Sequence, residues 1–356
     1  MKPYYNRLIG FDCERMRHRY CGLYSFCRDL GYFLIEEGEK RGQLLNVYTT
    51  KNAIGALGNK AIYLPQKSLH KFFFKCGDGI KLWHSTYQLS KYRPYNIPIM
   101  MTIHDLNFLY EESDERIISK SLRQLQRNID RAVRIVAISE FTKKDILKNL
   151  DTRGREIDVI YNGCSIYTGE VCPPRKIQLK PFLFSIGTIL PKKNFHVLPC
   201  LLRNNDYDLI IAGSYSEYND YILREADKYG VGERVKIIGN IAEAEKHWYY
   251  QNCEAFLFPS IAEGFGLPVI EAMYYGKPIF LSSHTCLPEI GQEHAFYFNY
   301  DFDPDLMCHE FEQGMQSFYI GDKDVNLMKK HALSFSWESA AFHYWNIYEE
   351  IISNIN

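Results

Sequence analysis

The sequence predicts an α/β protein of two domains, each built on a mostly parallel sheet. At 356 residues the chain is too long for one ordinary domain and about right for two. Short runs of β-branched and aromatic residues alternate with amphipathic helical patterns along the chain, which is typical of parallel strands connected by helices. The alternation breaks at Thr168–Lys176, where glycine, paired prolines and charges indicate a linker.

The elements follow one another in a regular order. Strands are predicted in the first half at Arg7–Phe11, Leu44–Thr49, Ala61–Leu64, Ile80–Trp83, Ile97–Ile103, Arg134–Ile138 and Ile157–Ile160, and in the second at Phe182–Ile186, Asp208–Ala212, Val235–Ile238, Ala255–Phe258 and Pro278–Leu281. The main helices are predicted at Cys21–Glu37, Asp114–Ala132, Glu140–Leu150, Phe195–Leu202, Asn219–Tyr229, Glu245–Gln251, Pro268–Tyr275 and Trp337–Ile352. We expect one domain over residues 1–170, a second over 178–335, and a C-terminal helix over 336–356 that can cross back to the first domain.

Composition narrows the functional class. The 42 lysines and arginines balance 43 acidic residues, and a net charge of -1 argues against a general nucleic-acid binder. No apolar run approaches the roughly 20 residues that span a bilayer, and the first residues lack the apolar core of a signal peptide. Ten scattered cysteines without a C-x-x-C pair indicate reduced, mostly buried thiols. These features predict a cytoplasmic protein.

A glycine-bearing turn between a strand and a helix carries most of the chemical signal. The predicted strand Ala255–Phe258 precedes a loop and then a helix with Pro268 in its first turn, where the missing N–H costs nothing. Gly264 and Gly266 let the backbone approach a ligand without a Cβ atom in the way. The amides of Gly266 and Leu267 at the helix start are suited to an anion.

Two carboxylates flank this turn. Glu271, about one turn inside the helix, can accept two hydrogen bonds from a ribose diol, and Glu263 before the turn can reach another part of a ligand. Taken alone, the segment fits a plain strand–loop–helix connection equally well.

A second turn of the same kind follows the first strand of this domain. Gly187 is followed by Lys192 and Lys193 at the start of a helix. An ammonium on a flexible stem suits a phosphate, although paired lysines are also usual in solvated loops. The spacing returns both turns to one sheet edge, and together they predict a pyrophosphate-and-ribose site.

These segments resemble the donor-site signature of the GT-B glycosyltransferases of family 4. The resemblance rests on Gly187 with Lys193-Asn194 after it, and on Glu263-Gly264-Phe265-Gly266-Leu267-Pro268 with Glu271 eight positions after Glu263. It is sharpest over residues 181–291 and weaker, but consistent, over the first domain.

The resemblance implies two Rossmann-like doubly wound domains facing a central cleft. It also implies retaining transfer of a sugar from a nucleotide diphosphate sugar, with no metal or other cofactor. By that resemblance Glu271 holds the ribose, Lys193 the diphosphate, and Glu263 lies near the transferred sugar. The other donor-binding residues are expected at Gly187, Thr188, Lys192, Gly264, Phe265, Gly266 and Leu267. Thr188 departs from the family, which often has Arg there, and Lys192 can supply that charge.

The resemblance extends to three positions of the first domain. His104 ends a predicted strand, where family members place a His over the donor sugar, so we expect it to contact the sugar, with Asp105 orienting it or binding the acceptor. By residue type alone, a His at a strand end is more often structural. Gly22, in the stretch Arg19–Leu23, resembles the glycine loop of the family and permits close approach of phosphate or acceptor. Ser139 matches another family stretch, but is expected to cap the next helix.

An acidic motif does not alter the expectation that no metal is needed. Asp301, Asp303 and Asp305 form the DxD pattern that another glycosyltransferase fold uses to bind a metal. They precede the last helices, outside the predicted site, and indicate an acidic loop and helix cap. Lys193 and a helix N-terminus can neutralise the leaving phosphate. The family implies front-face attack, in which that phosphate helps to deprotonate the acceptor hydroxyl.

A basic and aromatic run lies at Lys67–Lys75, where three consecutive phenylalanines stand among lysines. Such a run is typical of a core-facing helix with a solvated side, which is the preferred interpretation. It is also typical of a segment that docks on an anionic membrane surface, which would bring a lipid-linked acceptor to the protein.

The leading hypothesis is a retaining mannosyltransferase that uses GDP-mannose and a glycan or lipid-linked acceptor in surface polysaccharide synthesis. UDP-glucose, UDP-galactose and dTDP-rhamnose are alternative donors, because the 187–194 loop resembles mannosyl- and rhamnosyltransferases about equally. A second hypothesis keeps the fold but changes the reaction to that of a nucleotide-sugar epimerase or phosphorylase. A third, from another functional class, is a non-catalytic partner subunit that binds a nucleotide sugar. A dinucleotide dehydrogenase is disfavoured, because no G-x-G-x-x-G follows the first strand.

Overall fold

The structure is a computed structural model that describes residues 6–18, 21–77, 79–174 and 180–355. The chain divides into two units, the first formed by residues up to 165 and from 335 onward, the second by residues 166–334. Arg19 and Tyr20 of the predicted glycine loop, the end of the predicted linker at 175–176, and the expected domain start at 178 lie outside the described residues.

The first unit contains a seven-stranded parallel sheet. Its strands are β1 (Asn6–Asp12), β2 (Gln43–Thr49), β3 (Ile62–Pro65), β4 (Leu82–Ser85), β5 (Ile99–Ile103), β6 (Ala132–Ala137) and β7 (Ile157–Val159). Their spatial order is β3-β2-β1-β4-β5-β6-β7, and each described pairing is parallel. Strands β4 and β5 are buried at every position, as expected of central strands with both faces covered.

Four helices lie between these strands, α1 (Gly22–Lys40), α2 (Phe108–Glu111), α3 (Glu115–Ile129) and α4 (Glu140–Asn149). Short 3-10 helices occur at Glu14–Arg17, Lys51–Ala53 and Ser68–Lys71. The Ser139 side chain accepts a 3.1 Å hydrogen bond from the Thr142 amide, so the sequence-based prediction of an N-cap is confirmed.

The second unit contains a six-stranded parallel sheet with the order β10-β9-β8-β11-β12-β13. These strands are β8 (Phe182–Ile186), β9 (Asp208–Ala212), β10 (Val235–Ile237), β11 (Ala255–Phe258), β12 (Ile279–Ser282) and β13 (Phe296–Phe298). Its helices are α5 (Tyr218–Lys228), α6 (Glu243–Asn252), α7 (Leu267–Tyr274), α8 (Leu287–Gly291), α9 (Pro304–Tyr319) and α10 (Val325–Ser334). Short 3-10 helices occur at Pro191–Lys193, Phe195–Leu202, Gly232–Arg234 and Gln292–His294.

The last helix, α11 (Trp337–Ile355), belongs to the first unit. Its Trp345 indole donates a 2.9 Å hydrogen bond to the Leu34 carbonyl of α1. Its Tyr348 hydroxyl lies 2.6 Å from Nδ1 of His84, a buried residue of β4. These buried polar contacts tie the end of the chain to the first sheet.

Both sheets reverse their strand order at one point, between β1 and β4 in the first unit and between β8 and β11 in the second. Ligands of doubly wound folds bind outside the carboxyl ends of the strands at such a reversal. The loops after β8 and β11 contain the two glycine turns of the sequence analysis, so these turns lie at one sheet edge, as the sequence predicts.

Several elements differ from the prediction. The segment Phe195–Leu202 is a 3-10 helix rather than an α-helix, and it contains Pro199, which has no N–H to donate. Strand β4 begins two residues later than predicted, and the three-residue β13 was not predicted. All ten cysteines are free thiols and most are buried, as predicted. Among the described residues, no helix combines the length and apolarity needed to cross a bilayer.

The preferred interpretation of Lys67–Lys75 as a core-facing helix is wrong. Only residues 68–71 form a 3-10 turn, and the following residues have no regular structure. Phe74 is buried at 6% exposure, whereas Phe72 is 86% exposed and Phe73 and Leu69 are also exposed. Three consecutive side chains on a helix are about 100° apart and cannot share one buried face.

Candidate active site

Helix α7 begins at a glycine that the backbone requires. Gly266, its N-cap, has φ 102°, a left-handed conformation that L side chains rarely adopt. A Cβ atom there would also lie 3.0 Å from the Leu287 side chain. Pro268 occupies the first turn, as predicted. The N-cap residue Gly266 has no side chain that could cap the amides of that turn. The helix start can therefore offer its dipole and backbone donors to an anion.

Lys193 and Glu263 form an ion pair between the loops that follow β8 and β11. Both side chains are mostly buried, and the Lys193 ammonium also lies 4.9 Å from the centre of the Phe258 ring. The Coulombic attraction between two opposite charges is stronger where they are shielded from water. The structure thus brings together two residues that the sequence analysis assigned separately to diphosphate and sugar.

Backbone contacts join the same two loops. The Lys192 carbonyl accepts hydrogen bonds from the Ile261 amide at 2.9 Å and from the Ser260 hydroxyl at 3.1 Å. Gly213, after β9, packs so closely on Gly187 that a Cβ atom would lie 1.9 Å from the Gly187 carbonyl oxygen. Gly213 was not predicted to lie at the site. The sequence feature that could have indicated it is its position directly after the predicted strand Asp208–Ala212.

Glu271 is held by two side chains of α6 that the sequence analysis did not single out. Lys246 Nζ lies 2.7 Å from Oε1 of Glu271, and the Tyr250 hydroxyl donates to Oε2 at 2.8 Å. Burial lowers the pKa of Lys246, but Glu271 and Glu243 outweigh it and raise that pKa above its ordinary value. The only sequence signal was the four-residue spacing of Lys246 and Tyr250 on a predicted helix.

Thr285 and Cys286, after β12, fix the turn around Glu263. The Thr285 hydroxyl accepts a 3.2 Å hydrogen bond from the Glu263 amide. Cys286 Sγ donates to the carbonyls of Glu263 at 3.4 Å and Phe265 at 3.2 Å. Thr285 has φ 52°, which is uncommon for a β-branched residue and marks strain beside the site.

The first unit contains the other candidate residues. His104 follows β5 and is buried, with Nε2 at 2.8 Å from the Thr86 carbonyl oxygen and its ring edge-on to Phe26 at 4.5 Å. Burial lowers the pKa of His104 to about 4, so the ring is neutral at pH 7. A carbonyl can only accept, so Nε2 carries the proton and Nδ1 is left as the acceptor.

Asp105 and Gly22 have local roles in the same unit. An Asp105 carboxylate oxygen accepts a 3.1 Å hydrogen bond from the Asn107 amide, while the contact on the His104 ring nitrogen comes from Thr86. Gly22 is the first residue of α1, and a Cβ atom there would meet no atom within 4 Å among the described residues. The described residues around Gly22 therefore do not require glycine at this position.

The remaining predicted positions are more peripheral. Thr188 is exposed and Lys192 is half-buried. Asp303 caps α9 by accepting hydrogen bonds from the Asp305 and Leu306 amides, as predicted for this acidic loop. In the part of the chain that the structure describes, no three His, Cys, Asp or Glu side chains are grouped to hold a metal ion.

Two family models match the chain. Residues 174–307 match the model described as glycosyl transferases group 1, and residues 70–166 match the model described as glycosyltransferase family 4. The first match lies in the second unit and the other, except for its last residue, in the first unit. Together they span well over half of the chain.

Individual relatives agree with this. O-antigen chain mannosyltransferase B of Escherichia coli is 27% identical over 280 residues, which cover 72% of this chain and 72% of that protein. O-antigen chain mannosyltransferase RfbU of Salmonella typhimurium is 26% identical over 215 residues, 58% of this chain and 59% of that protein, so the match spans less than two thirds of its length.

A solved structure shows the same fold. Sucrose-phosphate synthase from Thermosynechococcus elongatus aligns with a TM-score of 0.75 at 16% identity, over 98% of this chain and 100% of that chain. The chain therefore belongs to the glycosyltransferases, with a group 1 domain in its second unit, a family 4 domain in its first, and the paired parallel sheets of the GT-B fold.

Proposed function

We propose that the protein transfers mannose from GDP-mannose to a hydroxyl group of a glycan or lipid-linked acceptor during polysaccharide synthesis, with retention of configuration. The similarity to two O-antigen mannosyltransferases supports the sugar and the process. The observation that carries the proposal is the cluster of Lys193, Glu263 and the start of α7 at the strand-order reversal of the second sheet.

The diphosphate is the leaving group, and its charge is balanced by the protein. Lys193 contributes an ammonium, and the first turn of α7 contributes backbone donors and the helix dipole. Lys192, half-buried on the adjacent position, adds a second cation. We propose that these groups replace the metal that other glycosyltransferases use, so that transfer proceeds without one.

Glu271 of the second unit adds a contact to the ribose of the donor. Glu271 accepts hydrogen bonds from the ribose hydroxyls, since each of its oxygens has lone-pair capacity beyond its one protein contact. In the first unit, His104 offers Nδ1 as an acceptor to a hydroxyl group, because its Nε2 proton is committed to Thr86. A neutral imidazole with a fixed tautomer is suited to this role.

Transfer then needs no nucleophile from the protein. The bond from the anomeric carbon to the diphosphate oxygen breaks, and the acceptor oxygen bonds to that carbon from the same face. The acceptor proton passes to the departing phosphate. Glu263, released from Lys193 by the diphosphate, can hydrogen-bond the sugar as this charge moves.

Labelled donors test this function. Purified protein is incubated with GDP-mannose, UDP-glucose, UDP-galactose or dTDP-rhamnose and a membrane extract that supplies acceptors, with and without EDTA. The proposal expects label from GDP-mannose in glycan or lipid-linked glycan, unaffected by EDTA and lost in Glu271→Ala. Transfer from another donor would correct the sugar, and a strict metal requirement would contradict the mechanism. Turnover without any acceptor would favour an epimerase or phosphorylase.

We further propose that the segment Lys67–Lys75 docks on an anionic membrane. The segment is anchored, because Phe74 is buried and stacked on His70 at 4.6 Å, and His70 Nδ1 lies 3.0 Å from the Tyr48 hydroxyl. Leu69, Phe72 and Phe73 are therefore held outward rather than loosely exposed. Large apolar side chains held in water mark an interaction surface.

Charge favours an anionic lipid surface as the partner. From residue 67 to residue 93 the sequence has six lysines and arginines against one acidic residue, although the whole chain has a net charge of -1. Each cation near an anionic bilayer contributes about 1 kcal/mol at low salt, and the phenylalanines add apolar burial in the interface.

Vesicle sedimentation tests this docking. We expect binding to vesicles that contain phosphatidylglycerol, less binding at high salt, and loss of binding in Phe72→Ser/Phe73→Ser. Ile320→Ser, which removes an equally exposed apolar side chain from the second unit, is the control. No binding of the unaltered protein at low salt would contradict the docking and leave the transferase proposal standing.

A further inference from the structure

We propose that Lys246 and Tyr250 are positioning residues that hold both oxygens of Glu271, and that this arrangement sets the preference for a ribose with free 2′ and 3′ hydroxyls over its deoxy counterpart. The inference rests on the proposed function, because it takes Glu271 as the carboxylate that binds the ribose. It adds two residues of α6 to the donor site, and neither belongs to the two glycine turns from which the site was predicted.

The contacts divide evenly between the two carboxylate oxygens. Lys246 and Tyr250 are four residues apart and so lie on one face of α6. Lys246 contacts Oε1 and Tyr250 contacts Oε2, at 2.7 and 2.8 Å. A carboxylate can accept about four hydrogen bonds. Each oxygen therefore retains capacity for one ribose hydroxyl, and the plane of the carboxylate is fixed by two donors.

The two donors are themselves held in place. Tyr250 is fully buried, and its ring packs against Phe184 and Phe256 of the central strands, each at 5.3 Å. Lys246 is mostly buried and also contacts the Glu243 carboxylate at 2.9 Å. One oxygen of Glu271 is thus held by Tyr250, whose ring packs on the sheet, and the other is held by the mostly buried ammonium of Lys246.

Removal of Lys246 takes away the donor to one oxygen of Glu271. Lys246 lies between the carboxylates of Glu271 and Glu243. Without the cation, the contact on Oε1 is lost and the neighbouring Glu243 carboxylate repels Glu271. The plane of the Glu271 carboxylate is then no longer fixed by two donors, so its oxygens match the two ribose hydroxyls less well. The preference for ribose should therefore fall.

The test compares each nucleotide with its deoxy analogue in the same protein. Dissociation constants of GDP and 2′-deoxy-GDP, and of UDP and 2′-deoxy-UDP, are measured by calorimetry in buffer with EDTA for the unaltered protein, Lys246→Met, Tyr250→Phe and Glu271→Ala. Because each ratio is taken within one variant, a general loss of folded protein cancels. We expect a ratio of at least about tenfold, equal to about 1.4 kcal/mol, in the unaltered protein, and less than about threefold in the variants.

A matched lysine serves as the control. Lys236 of β10 forms a 2.5 Å ion pair with Asp208, at the amino end of β9 and so away from the carboxyl edge of the sheet. Lys236→Met should retain the unaltered ratio, and Lys246→Arg should restore part of it. An unchanged ratio in both Lys246→Met and Tyr250→Phe, with a collapsed ratio in Glu271→Ala, would overturn the positioning role alone. Failure of the unaltered protein to bind either nucleotide would overturn the proposed function and this role with it.

Discussion

The ammonium of Lys193 is ion-paired with the carboxylate of Glu263, although 70 positions separate the two residues in the chain. They lie in the loops that follow two neighbouring strands, β8 and β11, at the point where the order of the second sheet reverses. A diphosphate that binds Lys193 competes with Glu263 for the same cation. Donor binding and release of Glu263 toward the sugar are therefore coupled in this account.

Lys193→Ala should lower turnover by about 10²-fold or more, because a positioned donor to a charge that develops in the transition state has that effect. Steady-state kinetics with saturating donor measures the change. Lys228→Ala, which removes an exposed lysine paired with Glu225, is the control and should be neutral. Turnover within threefold of the unaltered protein would show that Lys193 does not stabilise the leaving group.

Glu271→Ala should weaken binding of the nucleoside diphosphate by at least about tenfold. Hydrogen bonds to a charged group contribute about 1.5–3 kcal/mol each, and the substitution removes the acceptor for both ribose hydroxyls. Calorimetric titration with GDP measures the loss. An unchanged affinity would show that the ribose assignment is wrong.

Gly266→Ala should destabilise the fold by about 1 kcal/mol or more, because alanine is strained at φ 102°. Gly22→Ala should not lower the Tm, since a Cβ atom there meets nothing within 4 Å among the described residues and alanine favours the helix that begins at this residue. Thermal unfolding measures both. If Gly22→Ala retains its Tm but loses activity, close approach of a ligand is the reason for this glycine; full activity would argue against that role.

The stability of the protein should fall in acid partly because of His104. Burial lowers its pKa to about 4 in the folded protein, against about 6.5 unfolded, so the unfolded state binds the proton first. The stability that depends on a neutral His104 is fully present above pH 6.5 and is lost as the pH falls toward 4. The free energy of unfolding then falls by about 3 kcal/mol, since each unit of pKa difference corresponds to about 1.36 kcal/mol. In His104→Gln, the free energy of unfolding measured with denaturant should fall less steeply between pH 6.5 and pH 4 than in the unaltered protein. The same pH dependence in both proteins would contradict a neutral, buried His104.

The main strands around the donor site could be predicted from the sequence. The bounds of Phe182–Ile186, Asp208–Ala212 and Ala255–Phe258 agree with the prediction, because buried parallel strands are continuous apolar runs between clear turns. The helix start was predicted to within one residue: the prediction placed it at Pro268, and α7 begins at Leu267.

The tertiary contacts of the site could not be predicted. Lysines on an amphipathic helix usually face water, and only the packing of α6 beside α7 turns Lys246 toward Glu271. Thr285 has a left-handed backbone that its residue type does not suggest. The exposure of Phe72 and Phe73 was missed because their composition resembles a buried helix, whereas Phe74 alone enters the core.

Thermal unfolding in the presence of GDP, UDP, ADP, dTDP or NAD, in buffer without metal, shows whether the protein binds a nucleoside diphosphate and which one. A ligand at 100 times its dissociation constant adds about 2.7 kcal/mol to the free energy of unfolding. We expect a clear rise in Tm with GDP that is lost in Glu271→Ala. A rise with UDP or dTDP instead would change the donor, and no rise with any nucleotide would contradict the claim that this is a nucleotide-sugar-dependent transferase.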